Sequence, residues 1–202
     1  MEIVSARIPN DLPAVTQLFR AYAASLPIDL GYQGFDGELA SLPGKYAPPQ
    51  GALLIAHDAN TALGCVAMRP LPSPQGEGVI VARSGAMTGG AAAPLSESEA
   101  LSPHPTNSAA RNLSPSPRGE GWSVCEMKRL YVTPEGRGMG LGRALAHAII
   151  DAARAAGHRE MRLDTLAHMH EAQALYRALG FVEIAPYYEG APESTVFMSL
   201  KL

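Results

Sequence analysis

The run RLYVTPEGRGMGLGRAL, residues 129–145, reads as three parts in succession. A strand closes at residues 130–132, a glycine-rich turn follows, and a helix opens near Leu141. Gly136, Gly138, Gly140 and Gly142 stud the turn. Backbone N–H groups in such a turn, with those that a helix's first turn leaves unpaired, form a cradle for an anion. Arg137 and Arg143 add positive charge beside it. A nucleotide-binding Gly-Lys-Ser/Thr loop is absent. The dinucleotide pattern G-x-G-x-x-G/A fails too: starting at Gly138 its third position is Arg143, and starting at Gly140 it is Leu145. Taken alone, the turn could also hold nothing.

SVCEMKRLYV (123–132) leads into the turn as a strand, and LGRALAHAIIDAARAAG (141–157) leaves it as a helix stopped by Gly157. REMRLDTL is a further strand and MHEAQALYRALG a helix ended by Gly180. FVEIAPYY and STVFMSLKL complete the chain as strands. On the N-terminal side, EIVSARI is a strand, and Asn10 or Asp11 caps a helix over LPAVTQLFRAYAASL, where Val15, Leu18, Phe19 and Tyr22 share a face. FDGELASLP is a shorter helical piece ending at Pro43. GALLIAHDANTALGCVAMRPL is a hairpin turning at Asp58-Ala59-Asn60. The order predicts an α/β (α+β) layer architecture around one mixed sheet.

CEMKRLYVTPEGRGMGLG, and within it Arg137 to Gly142, resembles the acetyl-CoA pyrophosphate loop R/Q-x-x-G-x-G/A of the GCN5-related N-acetyltransferase (GNAT) superfamily. AQALYRALGFVEI resembles that family's second motif, a tyrosine-bearing helix followed by Gly-Phe and a strand. The resemblance implies a mostly antiparallel central sheet flanked by helices, with its fourth strand splayed from its fifth at a bulge. It also implies transfer of an acetyl group from acetyl-CoA to a primary amine by direct attack through a tetrahedral intermediate. A catalytically inactive acyl-CoA-binding sensor or interaction module stands as the alternative.

By this resemblance, backbone N–H groups of Leu130, Tyr131 and Val132 would meet the pantetheine arm and polarise the thioester carbonyl. Arg137, Gly138, Met139, Gly140, Leu141, Gly142 and Arg143 would carry the pyrophosphate. Glu126 stands where many members place the general base, and an amine of pKa about 10 needs one. It could equally pair with Lys128. Strand alternation puts Glu126, Lys128, Leu130 and Val132 on one face. Tyr176 matches the residue that protonates the departing thiolate; as an alternative it is a core aromatic. Arg129 could reach a substrate carboxylate or be ion-paired, and Tyr187 and Tyr188 would line the acceptor side. His168 and His170 read as loop or cap residues.

Composition narrows the rest. The chain has 202 residues, 47% of them apolar, and a net charge of -3, so nothing global favours nucleic acid or an anionic membrane. Cys65 and Cys125 are its two cysteines, without C-x-x-C or a metal-ligand spacing, and read as buried thiols in a reducing compartment; no metal is expected. Without a leader-like N-terminus or a membrane-length apolar run, a cytoplasmic chain is expected, monomeric or homodimeric. A single domain over 1–202 is expected, interrupted at about 73–121 by a long low-complexity insertion in the hairpin of the third and fourth strands. That segment is dominated by Ser, Pro, Gly and Ala, and only GVIVAR in it could form a strand. Its ends carry the same word, P-S-P-x-G-E-G, ending at Gly78 and Gly121. Codons for Gly-Glu-Gly, read on the opposite strand one base out of frame, can spell Pro-Ser-Pro. An in-frame repetitive DNA element is therefore the reading, with a proline-rich docking loop as the alternative.

Overall fold

The computed structural model describes residues 1–59, 61–72 and 124–202. Seven strands and four helices run in the order β1 (Glu2–Ser5), α1 (Leu12–Ala24), α2 (Phe35–Ala40), β2 (Ala52–Asp58), β3 (Thr61–Leu71), β4 (Val124–Val132), α3 (Leu141–Ala155), β5 (Glu160–Leu166), α4 (His170–Ala178), β6 (Val182–Ile184) and β7 (Thr195–Lys201). The strands form one sheet in the order β1-β2-β3-β4-β5-β7-β6. Only β4 and β5 run parallel, joined by the crossover helix α3; all other neighbours are antiparallel.

Two apolar cores hold this layer from opposite sides. Leu141, Leu145 and Ile149 recur at helical spacing on α3 and pack with Met127, Met161 and Met198 of the sheet. On the other face, Val15, Leu18 and Phe19 of α1 meet Ile55 and Cys65. Leu145, Ile149, Val15 and Phe19 are completely buried, each worth about 2–3 kcal/mol relative to exposure. The buried Cys65 and Cys125 are free thiols, and burial pushes the Cys125 thiol up to about 12.

The central strand carries the feature that shapes the site. Opposite β3, Cys65 faces Tyr131 while Ala67 faces Lys128, so β4 holds one extra residue. Arg129 is that bulge, with φ of 57°. The simple alternation expected from the sequence therefore fails beyond Lys128. Leu130 and Val132 pack on the α3 side with Met127, whereas Tyr131 joins the α1 side. Glu126 and Lys128 stay on the α1 side, opposite Cys125 and Met127.

The remaining departures lie at element ends. EIVSARI is strand only to Ser5, because Arg7 turns to donate its N–H to Asp11 at 2.8 Å. Asp11 is the N-cap residue of α1, but its carboxylate grips the Arg7 guanidinium at 2.9 and 3.0 Å rather than the helix amides. FVEIAPYY is strand only over Val182–Ile184, ahead of Pro186, whose missing N–H cannot join a ladder. Leu71 pairs with Val124, so the strands on either side of residues 73–123 lie side by side. The repeated word, the GVIVAR strand and the insertion at 73–121 fall outside the described residues, as does Asn60 in the β2–β3 turn.

Candidate active site

The glycine-rich turn takes the form its sequence suggests. After a 3-10 turn at Pro134–Gly136, Gly138 and Gly140 adopt φ of 75° and 74°, a left-handed conformation that a side chain would strain. Gly140 is the N-cap of α3, and no side chain caps that helix end. Ala144 donates the first helical hydrogen bond, to the Gly140 carbonyl at 3.1 Å. The amides of residues 141–143 precede it and belong to the set that a helix leaves without an internal acceptor. Arg137, Gly138, Met139, Gly140 and Arg143 are exposed around this end. Leu141 is the exception: its side chain is core, leaving only its amide to the turn. Val132 reaches α3's first turn beside Gly142, tying the end of β4 to the cradle.

A few residues upstream the sheet opens. The β4–β5 ladder holds only at Val124↔Glu160, Cys125↔Met161 and Glu126↔Arg162, and then the strands part. A cleft of about 90 Å³ fills the gap, bordered by Lys128 and Leu130 of β4, Asp164 of β5 and Tyr176 of α4. Tyr176 is buried, its ring edge-on to Phe181 at 5.7 Å, and burial pushes its phenol well above the usual range. Gln173, also buried, donates to the carbonyls of Leu166 and Ala167 at 3.0 and 2.9 Å, which fixes α4 to the end of β5. His168 and His170 are exposed at the turn into α4.

Charge gathers on the α1 side of the opening. Glu126 is wholly buried, and both carboxylate oxygens are engaged: Arg69 Nε at 2.6 Å, Tyr187 Oη at 2.7 Å and Lys128 Nζ at 3.3 Å. Lys128 also meets Asp164 at 2.6 Å, and Tyr188 donates its hydroxyl to Asp164 at 3.1 Å. Burial pulls the Asp164 carboxyl upward, but Lys128, with the Tyr188 hydroxyl, outweighs it and holds the group below the usual range. Tyr187 and Tyr188 stack edge-on against Phe197, each at 5.1 Å, and burial pushes both phenols up. Arg129 turns elsewhere. Its guanidinium takes both oxygens of Glu38 at 2.8 Å and lies over Phe35 and Tyr22, the ion-paired alternative rather than an open carboxylate receptor.

A splayed pair of central strands, an uncapped helix end with left-handed glycines, and a tyrosine in the gap call for comparison with known proteins. A sequence profile of the Acetyltransferase (GNAT) family matches residues 113–181. An uncharacterized N-acetyltransferase of Schizosaccharomyces pombe is 32% identical over 203 residues, covering 100% of this chain and 95% of its own. The chain belongs to the GNAT family. A second relative, an uncharacterized N-acetyltransferase of Dictyostelium discoideum, is 29% identical over 92% of each chain. Among solved structures, the Salmonella typhimurium protein yncA, determined with its cofactor acetyl-CoA, superposes with a TM-score of 0.60 at 18% identity, covering 99% of this chain and 92% of that one. A ribosomal-protein-alanine N-acetyltransferase from Brucella melitensis gives 0.57 at 18% identity over the full length of both. At these identities the structural likeness speaks to the fold.

Within this GNAT fold, the structure brings Glu126 to Tyr187 and places Tyr176 and Leu130 along one cleft, with the residues 137–143 beyond Val132. The sequence reading missed Asp164, Gln33 and Arg69. Gln33 donates to Asp164 at 3.2 Å across 131 residues of chain, a contact that no local pattern signals. Among the described residues no group of three or more His, Cys, Asp or Glu could hold a metal ion, and no helix is long and apolar enough to cross a membrane.

Proposed function

We propose that this chain is an acetyl-CoA-dependent N-acetyltransferase acting on a primary amine, and that residues 1–202 work as one unit interrupted between β3 and β4. The observation that carries the reading is the parting of β4 and β5 after Glu126, with Tyr176 in the gap. The residues present suit the cosubstrate: Gly138 and Gly140 leave open space where a Cβ would stand, beside free helix amides and two exposed arginines. Acetyl-CoA supplies an activated acetyl thioester.

The amides of residues 137–143 would hold the pyrophosphate, and the β5-facing edge of Leu130, Tyr131 and Val132 would hold the pantetheine arm. An N–H aimed at the carbonyl oxygen stabilises developing negative charge without reorganisation, a contribution often near 3 kcal/mol. Glu126 would draw the proton from the acceptor ammonium through Tyr187 or an intervening water, since its carboxylate lies behind Arg69 and Tyr187. Tyr176 would return a proton to the thiolate; burial keeps the phenol neutral and proton-bearing, and the same desolvation would make a thiolate departing into the cleft more basic. The same burial of Glu126 favours the second reading, a module that binds acyl-CoA without turning it over. Thiol release from acetyl-CoA across a panel of primary amines, alongside acetyl-CoA binding, tests the choice. Amine-dependent thiol release is expected; tight binding with no release on any amine leaves the binding module.

A further inference from the structure

The cleft between β4 and β5 is bordered from both faces of the sheet. Tyr176 stands on the α3 side, where it packs within the aliphatic core. On the α1 side stand Lys128, Asp164 and Gln33, the last residue of the short turn Leu30–Gln33. The strands hold their last ladder pair at Glu126 and Arg162. Two residues further on, the Lys128–Asp164 ion pair at 2.6 Å spans them instead. Asp164 therefore stands at the throat of the opening. After burial and Tyr22, its charge adds to raising the Tyr176 phenol. Glu126, wholly buried behind Arg69 and Tyr187, is not among the walls of the cleft.

Hydrogen bonding at this throat is incomplete. Gln33 Nε2 uses both protons, on Tyr32 Oη at 2.9 Å and on Asp164 Oδ2 at 3.2 Å. A carboxylate only accepts, so the amide nitrogen must be the end that faces Asp164. Gln33 Oε1 is then left buried with no hydrogen-bond partner among the described residues, a costly state for an acceptor. Asp164 Oδ1 receives Lys128 and has a second lone pair free, whereas Oδ2 already receives Gln33 and Tyr188. Two unused acceptors thus meet at one wall of the cleft that holds Tyr176. A neutral primary amine has two N–H groups and a lone pair. Lys128 beside it disfavours the ammonium form, whose third proton leaves by the Glu126 route.

We propose that Gln33 Oε1 and Asp164 Oδ1 seat the acceptor nitrogen, each receiving one N–H of a neutral primary amine, so that its lone pair is left for the thioester carbonyl. This rests on the acetyltransferase reading. The Gln33 oxygen is closed to solvent, so the turn Leu30–Gln33, ended by the left-handed Gly34, yields as the amine enters. The seat selects an unsubstituted amino group, because an N-methyl amine brings one N–H and leaves one acceptor unanswered.

The test compares kcat/KM for butylamine, 2-phenylethylamine and glycinamide with that for the N-methyl derivative of each, in the unaltered chain and in Gln33→Met. The unaltered chain is expected to favour the primary amine of a pair by about tenfold or more. In Gln33→Met the primary amines should lose about tenfold, through the amine KM, with KM for acetyl-CoA within about twofold. The N-methyl amines should change by less than about twofold, so the preference collapses. Asp164→Ala should weaken both members of a pair alike, since each keeps one N–H for that carboxylate; if it does not fold, Gln33→Met decides. Primary and N-methyl amines acetylated equally by the unaltered chain, a Gln33→Met loss shared by both, or an unchanged amine KM in Asp164→Ala each overturns the seat while leaving acetyl transfer intact. Absence of thiol release with any amine overturns the acetyltransferase reading, and this one with it.

Discussion

The two sides of β4 solve the same burial problem in opposite ways. Toward α3, Cys125 and Met127 join a core of aliphatic side chains that needs only close packing. Toward α1, Glu126, Lys128 and Arg129 are 0%, 7% and 3% exposed, so three charges leave water within four residues of one strand. Apolar burial stabilises by itself, whereas buried ions do so only when each finds its partner. The α1 side meets that condition through Arg69, Asp164, Glu38, Tyr187 and Tyr188, recruited from β3, β5, α2 and the β6–β7 connection. Along these four residues β4 shows aliphatic packing on one side and paired charges on the other.

That contrast can be broken at its strongest point. Glu126→Ala strands Arg69 and Lys128 without their shared carboxylate and should lower unfolding free energy by about 4 kcal/mol in urea titrations. A loss below about 1 kcal/mol would show that the charged face does not depend on its pairing. On the aliphatic face, Ile149→Ala should cost about 3 kcal/mol through transfer and cavity terms, yet leave kcat per folded molecule unchanged. A change in kcat would mean that the α3 core also positions the chemistry. At the boundary between the two, Tyr176→Phe should reduce kcat about 100-fold, near 2.7 kcal/mol, with KM for acetyl-CoA within about twofold. An unaltered kcat where chemistry limits the rate would return Tyr176 to the core.

The smallest effect concerns Asp11, whose carboxyl the Arg7 hydrogen bonds hold down at about 2. A carboxyl depressed in the folded state contributes stability above its unfolded value, near 4, and loses it as pH falls toward 2. Unfolding midpoints of the unaltered chain and Asp11→Asn should differ at pH 7 and converge between about pH 4 and pH 2. A difference that persists at pH 2 would assign the effect to packing instead.

How far the sequence could be read follows from how local each signal is. Helices α3 and α4 were legible because periodic apolar residues and the left-handed Gly157 and Gly180, at φ of 85° and 93°, mark them within one stretch. The glycine-rich turn was legible for the same reason. The bulge was not: Arg129 sits at positive φ without being glycine, and the contacts that hold it come from Glu38, Phe35 and Tyr22, far away in the chain. Glu126 and Tyr176 stand out by their motif positions, but the Arg69–Glu126 pair bridges 57 residues and Lys128–Asp164 bridges 36. Strand register creates those pairs, and register is a property of the assembled sheet. Nothing local to Tyr187 and Tyr188 signals a partner for either hydroxyl, because Glu126 and Asp164 reach them only across the assembled sheet.

In the proposed enzyme the opening between β4 and β5 would receive the thioester arm. A crystal structure of the full chain with coenzyme A tests it most directly. The pyrophosphate should lie against the amides of residues 137–143, the arm along the β5-facing edge of Leu130, Tyr131 and Val132, and the sulfur within hydrogen-bonding reach of the Tyr176 hydroxyl. Coenzyme A seated away from this opening, or a sulfur directed away from Tyr176, would contradict it.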